Sequence, residues 1–190
     1  MADKDRVKWN KKFSENEAFL APRPIAEMVE EFYHKCGGKK VLDLACGAGR
    51  HTQFLSKRAY LVDAVDISDI ALDYLRPLVN ENVTLIEADL DTYVPEKRHY
   101  DLIIMTNFLD RALITRAKEA LKVGGFFIVE TYMEDEANEK EGYNPDFLLQ
   151  KEELKSIFSQ GYEILAYDRF WNEPYEKRRM KKQAITVKKV

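Results

Sequence analysis

Apolar residues along the chain alternate between short continuous runs and helical spacing. Mostly apolar, strand-like runs lie at 41–44, 60–65, 83–86, 102–105 and 126–129, and further strand-like stretches lie at 162–170 and 184–187. Between runs, apolar residues recur at helical intervals, as at Leu72, Leu75 and Leu78, and Ser68 is placed to cap that helix. Strands that alternate with helices indicate βαβ units and a mainly parallel sheet, here in a single α/β domain over residues 1–190.

Two segments outside this alternation are expected to border a ligand site. Residues 1–24 are mostly polar with isolated aromatics, and a helical pattern then runs from Ile25 to Tyr33. Because that helix leads away from the edge where parallel strands end, the residues before it lie at that edge. Trp9 and Phe13 are therefore placed to close over the part of a site that holds the acceptor substrate, which we call the acceptor side. We predict that residues 1–24 form a lid that excludes water. Residues 133–150 leave the fifth strand at the same edge, and their length and polarity predict an active-site loop.

A glycine loop follows the first strand, in the series Asp43-Leu-Ala-Cys-Gly47-Ala-Gly49. Glycines at this point let the backbone approach a ligand, and open α/β sheets bind ligands at the carboxyl ends of their strands. Asp66 ends the second strand, where an acid of a nucleotide site accepts hydrogen bonds from a ribose.

The side chains around the loop discriminate between nucleotides. Thr52 stands where a dinucleotide loop would have its third small residue, and the Asp43 carboxylate would repel a pyrophosphate. Asp89 ends the third strand and can accept from an adenine amine. Three acids at successive strand ends suit a cationic adenosine compound without phosphate, and S-adenosylmethionine is such a compound.

Five segments resemble, in order and spacing, the motif series of class I S-adenosylmethionine-dependent methyltransferases. They are VLDLACGAGRH, VDAVDIS, EADL, YDLIIMTNFL and LKVGGFFIVET, within residues 38–132. The resemblance implies a Rossmann-like fold: a seven-stranded, mainly parallel sheet with an antiparallel last strand and helices on both faces. It implies S-adenosylmethionine as cofactor and S-adenosylhomocysteine as product. The segments WNKKF and NPDFLLQKEELKSIF are similar to a bacterial branch near the tellurite-resistance methyltransferases.

The resemblance also implies site residues, all in the loops after the first four strands. The cofactor contacts would be Asp43, Ala45, Cys46, Gly47, Gly49, Asp66, Ile67, Asp89, Leu90 and Asn107. In that set Asp66 would hold the ribose hydroxyls, and Asn107 would lie next to the transferred methyl. His51 and Asn107 are the candidates for catalysis, but no partner at fixed spacing orients His51 as a dedicated base.

Composition and charge narrow the classes of function. The net charge of −3 gives no general attraction to nucleic acid or to anionic membrane. Two separated cysteines and three histidines predict no metal site, and a charged N-terminus without a long apolar run favours a cytoplasmic protein. The fourth strand ends Thr106-Asn107-Phe108, unlike the Asn-Pro-Pro-aromatic series of enzymes that methylate base amines.

These observations favour a small-molecule acceptor, and two other classes of function stay open. One is an RNA or protein methyltransferase that acts with a partner. The other is a non-catalytic protein that binds S-adenosylmethionine. The sequence leaves open the acceptor, the atom that is methylated and the oligomeric state.

Overall fold

The computed structural model describes residues 2–16, 19–139, 144–173, 176 and 178–190. Its strands are β1 Lys40–Leu44, β2 Leu61–Asp66, β3 Val83–Glu87, β4 Tyr100–Thr106, β5 Leu121–Tyr132, β6 Tyr162–Trp171 and β7 Lys181–Lys189. Its α-helices are α1 Ala2–Glu15, α2 Glu27–Phe32, α3 Arg50–Ser56, α4 Asp69–Leu75, α5 Arg111–Ala120 and α6 Glu153–Ile157. Short 3-10 turns lie at Arg76–Leu78 and Pro145–Phe147.

The strands form one seven-stranded sheet in the order β3-β2-β1-β4-β5-β7-β6. Strands β1 to β5 are parallel to one another, and β7 is antiparallel to both β5 and β6. The predicted mainly parallel sheet with an antiparallel last strand is confirmed. The strand order reverses between β1 and β4, and such a switch point opens a crevice at the carboxyl ends of the two strands.

Helices cover both faces of the sheet and bury its central strands. Helices α5 and α6 pack on one face, and α2 and α3 pack on the other. Apolar side chains of β1 and β4 are completely buried, which explains why these strands read as continuous apolar runs. No helix in the described part of the chain is long and apolar enough to span a membrane.

The capping residue predicted for α4 is confirmed. The Ser68 hydroxyl accepts a hydrogen bond from the Ala71 amide at 3.2 Å. It thereby satisfies one of the free N–H groups at the helix start. This cap fixes where α4 begins, directly after β2.

The boundary between α5 and β5 differs from the predicted one. The apolar spacing from Leu113 to Leu121 predicts a helix that Gly124 and Gly125 close. In the structure α5 ends at Ala120 and β5 begins at Leu121, so both glycines lie inside the strand. A Cβ at Gly125 would come within 3.0 Å of the Asp101 carbonyl oxygen. Gly125 therefore allows close contact between β5 and β4 rather than closing a helix.

Two polar segments contain structure that the apolar pattern did not predict. Helix α1 was not predicted because Phe13 is the one buried residue among its described side chains, and a single position makes no periodicity. The predicted active-site loop at 133–150 contains buried Leu148 and Leu149 and a bridge between Met133 and Leu149. Residues 140–143 of this loop lie outside the described part of the chain.

A glycine pair tests how tightly α3 and α4 pack. Gly49, with φ 77°, precedes α3, and a Cβ there would lie 2.3 Å from Leu75 Cδ1, whereas Gly124, with φ 81°, has open space around it. We expect Gly124→Ala to cost about 1–2 kcal/mol of unfolding free energy from backbone strain alone. Gly49→Ala should cost the same strain energy and about 1–3 kcal/mol more of unfolding free energy, because its Cβ overpacks against Leu75. Urea unfolding measures both variants, and equal losses would contradict the close contact.

Candidate functional site

The loop after β1 turns sharply at the sheet edge through three residues in the left-handed region. Ala45 has φ 55°, Gly47 φ 52° and Gly49 φ 77°. The Cys46 amide donates to the Val65 carbonyl at 3.1 Å, and the Gly49 amide donates to the Cys46 carbonyl at 2.9 Å. A left-handed alanine costs roughly 1–2 kcal/mol, so the backbone at Ala45 is strained.

Asp66, at the end of β2, fastens this loop to the next helix. Its side chain is 7% exposed. Its Oδ2 accepts from the Gly47 amide at 2.8 Å, and its Oδ1 accepts from the Ser68 amide at 2.9 Å. Burial raises the pKa of Asp66, while the two amide hydrogen bonds act in the opposite direction. The carboxylate is therefore held rigidly, and its other lone pairs are available to a further donor.

Asp43 lies within β1 and is a buried acid whose charge interacts with that of Asp66. It is 2% exposed, and the Thr52 hydroxyl donates to its Oδ2 at 2.6 Å. Burial raises the pKa of Asp43 to about 6, while the Thr52 hydrogen bond and the charge of Arg50 lower it. Thr52, which argued against a dinucleotide loop, thus has a direct role in holding the acid.

The third predicted acid shapes the turn after β3. Asp89 Oδ1 accepts from the Asp91 amide at 3.0 Å, and the Asp89 carbonyl accepts from the Tyr93 amide at 2.9 Å. Leu90 is 5% exposed and packs in the hydrophobic core, so its side chain is not open to a ligand. Ile67, after β2, is only partly buried.

Asn107, directly after β4, carries an unsatisfied oxygen at the other side of the crevice. Its backbone is left-handed, with φ 56°, and its backbone N–H donates to the Glu130 carbonyl at 2.8 Å. Within the described residues, its Oδ1 is buried and has no hydrogen-bond partner. A buried acceptor without a donor costs about 1–3 kcal/mol, so this position is suited to a ligand that supplies one.

His51 has a structural environment. It is 3% exposed, and its Nε2 accepts from the Ala26 amide at 3.3 Å. Burial and the neighbouring Arg50 charge hold the pKa of His51 well below its usual range. A neutral imidazole that accepts a backbone hydrogen bond fixes the start of α2.

Sequence reasoning missed how Arg50 bridges several elements at this edge. Its Nη1 donates to the Pro24 carbonyl at 2.9 Å, its Nη2 donates to the Thr106 hydroxyl at 3.3 Å, and Nη1 lies 3.9 Å from Glu173 Oε1. These partners are far from Arg50 in sequence and at no diagnostic spacing. Arg50 thus joins the segment before α2 to the end of β4.

Lys182 is the centre of a buried ion cluster that was also missed. Its side chain is completely buried and lies 2.9 Å from Glu173 Oε2, 3.3 Å from Glu130 Oε1 and 3.9 Å from Glu176 Oε1. Burial alone would raise the pKa of Glu173, but a hydrogen bond with Glu176 and the Lys182 charge bring it to about 2. The cluster attaches the connection between β6 and β7 to the end of β5.

Arg111 attaches the segment beyond β5 to the start of α5. Its guanidinium donates to both carboxylate oxygens of Glu153, at 2.6 and 3.0 Å. It also donates to the carbonyls of Asp146 and Leu148, at 2.7 and 3.0 Å. These contacts hold the segment from Asp146 to Glu153 against the start of α5.

Comparisons with known sequences agree on the type of domain. Residues 41–125 match a family described as a methyltransferase domain. TehB of Haemophilus influenzae, named a probable S-adenosyl-L-methionine-dependent methyltransferase, is 32% identical over 103 residues, 50% of this chain and 36% of TehB. A protein-L-isoaspartate O-methyltransferase of Ignicoccus hospitalis is 29% identical over 116 residues, 57% of this chain and 54% of that protein. The chain thus spans about half or less of the length of these curated relatives.

Solved structures share the fold. The crystal structure of TehB from Haemophilus influenzae aligns with a TM-score of 0.78 at 23% identity, over 96% of this chain and 67% of that chain. Magnesium protoporphyrin IX methyltransferase from Synechocystis, solved with bound S-adenosylhomocysteine, aligns with a TM-score of 0.73 at 14% identity, over 100% and 99% of the two chains. The predicted fold class is confirmed.

Replacement of the buried Asp43 by its neutral isostere, asparagine, is expected to raise the free energy of unfolding by an amount that depends on pH. Because its pKa is about 6 in the folded chain against 3.8 as a free side chain, the folded state prefers the protonated acid. The stability that this preference contributes is complete below about pH 4 and is lost as the pH rises through about 6. Between pH 4 and pH 8, the free energy of unfolding of Asp43→Asn should therefore rise by up to about 3 kcal/mol relative to that of wild type.

Urea unfolding at several pH values measures this gain. The control is Asp73→Asn, at a carboxylate whose side chain is 73% exposed, and it should show almost no pH dependence relative to wild type. A stability difference between Asp43→Asn and wild type that stays constant with pH would contradict the burial of a charged group there.

Proposed function

We propose that this chain, which belongs to the class I S-adenosylmethionine-dependent methyltransferases, binds S-adenosylmethionine and transfers its methyl group to a small molecule. The observation that carries the proposal is the set of acids at the ends of β1, β2 and β3. Asp43, Asp66 and Asp89 lie around a left-handed glycine loop. Carboxylates suit a ligand with an ammonium, a sulfonium and ribose hydroxyls, and they disfavour phosphates.

The crevice fits this cofactor at its unsatisfied polar atoms. Asn107 Oδ1 is a buried acceptor that lacks a donor among the described residues, and the cofactor carries an ammonium donor. Asp66 has its orientation fixed by the Gly47 and Ser68 amides and keeps free lone pairs for the two ribose hydroxyls. Gly47 and Gly49 allow the backbone to approach the methionine part.

The other expected contacts fall into two groups. Ala45, Cys46 and Ile67 lie in the loops after β1 and β2 and would contact the cofactor through backbone and apolar atoms. Asp89 would accept from the adenine amine. Leu90 is buried beneath that position and would support the turn rather than touch the ring.

When bound, S-adenosylmethionine supplies an electrophilic methyl on a sulfonium whose departure leaves a neutral thioether. The chain's contribution is to align the acceptor lone pair with that methyl and to exclude water, and such alignment can contribute roughly 7–11 kcal/mol. Asn107 lies at the junction of the cofactor and acceptor sides and would orient donors there. His51 stays neutral and bonded to Ala26, so it is not the general base.

The walls of the acceptor side support a small acceptor. Arg111 holds the segment from Asp146 to Glu153 along one border, and the Lys182 cluster holds the other. We propose that residues 133–150 form the active-site loop that closes this side. These charged contacts hold both segments in place, which favours an acceptor smaller than a folded RNA or protein. The magnesium protoporphyrin IX methyltransferase has the same fold and is named for a small-molecule acceptor.

Calorimetry with Asp66→Ala tests the cofactor site. Loss of a carboxylate that accepts from ribose hydroxyls should weaken S-adenosylmethionine binding by about 10- to 150-fold, the equivalent of roughly 1.5–3 kcal/mol. Asp73→Ala on α4 removes an exposed carboxylate and should leave the affinity unchanged. Stronger binding of NADH than of S-adenosylhomocysteine would contradict the cofactor, and an unchanged affinity in Asp66→Ala would contradict the placement.

The acceptor class is tested with methyl-labelled cofactor in a cell extract that contains the enzyme. We expect label in the low-molecular-mass fraction, and none with Asp66→Ala at low cofactor concentration. Label in the RNA or protein fraction would overturn the small-molecule acceptor. Tight cofactor binding without transfer to any fraction would indicate a non-catalytic binding protein.

Substitutions of His51 test the mechanism once an acceptor is known. His51→Gln keeps an acceptor for the Ala26 amide, so turnover should stay within about 10-fold of wild type and the pH profile should keep its shape. His51→Ala leaves that amide unpaired, which should cost about 1–3 kcal/mol of stability, and turnover should fall by less than about 100-fold. Single-turnover transfer across pH measures both. A larger loss in His51→Gln, with an inflection near pKa ~6.5 removed, would make His51 the base.

A further inference from the structure

The inner face of α1 contacts the ends of three successive strands. Arg6 Nη1 lies 3.5 Å from Glu87 Oε1 at the end of β3. One turn later, Asn10 bonds to the start of α4, and another turn later Phe13 lies on the loop after β1, where its Cζ is 3.2 Å from the position of a Cβ at Gly47. Helix α1 therefore runs across the carboxyl ends of β3, β2 and β1.

These contacts favour a different side of the site for the N-terminal segment from the one that the sequence analysis expects. The sequence analysis placed Trp9 and Phe13 over the acceptor side, from the direction of α2. The acceptor side lies at the ends of β4 and β5, whereas α1 covers the three strand ends that carry Asp43, Asp66 and Asp89.

Asn10 connects α1 through a chain of hydrogen bonds to Asp66, the acid proposed to bind the ribose. Its Oδ1 accepts from the Ser68 hydroxyl at 2.7 Å, and its Nδ2 donates to Asp69 Oδ1 at 2.6 Å. The Ser68 amide in turn donates to Asp66 at 2.9 Å. A residue on α1 thus helps to position the loop that holds Asp66.

The attachment of α1 is slight compared with that of the core helices. Phe13 is 6% exposed, whereas Val7 is 66% exposed, and the ion pair of Arg6 joins two half-exposed side chains. The ring of Phe13 packs against Trp9 and Phe19, with centroid distances of 6.3 and 5.9 Å. An element with one buried anchor opens at much lower free energy than a core strand does.

We propose that α1 is a lid over the cofactor, latched by Asn10 and Phe13, that must open for S-adenosylmethionine to bind and for S-adenosylhomocysteine to leave. This inference rests on the proposed function, because it takes the ends of β1 to β3 as the cofactor site. The helix encloses the adenosine part on the side away from the acceptor. Exchange of the cofactor is then separate from access of the acceptor.

Rapid-mixing kinetics with S-adenosylhomocysteine test the lid in the full chain. Trp9 lies on α1 next to Phe13 and reports on its position, and a Trp171→Phe background removes the other tryptophan. Asn10→Ala removes the hydrogen bonds with Ser68 and Asp69, and Phe13→Ala removes the buried ring. We expect each to raise the dissociation rate constant by about 10-fold and to raise the association rate constant as well. The control is Ser14→Ala, whose hydroxyl, among the described residues, donates within the helix to the Lys11 carbonyl.

A lid speeds both rates when its latch is broken, whereas loss of a simple cofactor contact raises dissociation alone. Unchanged rates, or faster dissociation without faster association, would overturn the lid. If wild type binds no S-adenosylhomocysteine in calorimetry, the proposed function fails and the lid fails with it. If wild type binds and the variants exchange at its rate, only the lid fails.

Hydrogen exchange on the unmodified chain gives a second measurement that does not depend on the folding of a variant. Amides of α1 should become more protected when S-adenosylhomocysteine is added, while those of α5 should not change. Equal protection of α1 with and without the ligand would overturn the proposal.

Discussion

The carboxylate of Asp66 is the contact on which the whole ligand edge depends. One oxygen holds the Gly47 amide and the other holds the Ser68 amide, so a single side chain joins the loop after β1 to the start of α4. Ser68 then caps α4 and donates to Asn10, which brings α1 into the same network. A carboxylate can accept more than two hydrogen bonds, and a residue that organises its surroundings in this way can also receive hydroxyl donors from a ligand.

Several unfavourable features of the structure lie at this edge. Asp43 and Asp66 are acids whose pKa values are raised by burial, Ala45 has a left-handed backbone, and Asn107 has an oxygen without a donor among the described residues. The core on both sides of the sheet is apolar and closely packed. Strain and desolvation persist in a folded protein when the surrounding structure holds them in place, and they mark the positions where a ligand supplies the missing partners.

The sequence predicted the sheet and the acids because their signals are local. Each central strand is buried on both faces and reads as an apolar run, and Ser68 stands directly before the helix that it caps. Helix α1 was not predicted because it buries one side chain, Phe13. The contacts of Arg50 and Lys182 join residues from distant parts of the chain, and such pairs leave no periodicity or spacing to detect.

The two sides of the crevice are fastened by different kinds of contact, and this difference determines which side opens. On the acceptor side, Arg111 makes four hydrogen-bond contacts, and Lys182 is completely buried among carboxylates. Breaking a buried ion pair leaves an uncompensated charge, which costs several kcal/mol, about 3–5. On the other side, α1 is held by the buried ring of Phe13, the hydrogen bonds of Asn10 and the half-exposed ion pair of Arg6. Undocking it exposes Phe13 and leaves the Asn10 side chain free to bond with water. Opening is therefore easier over the ends of β1 to β3 than over the ends of β4 and β5.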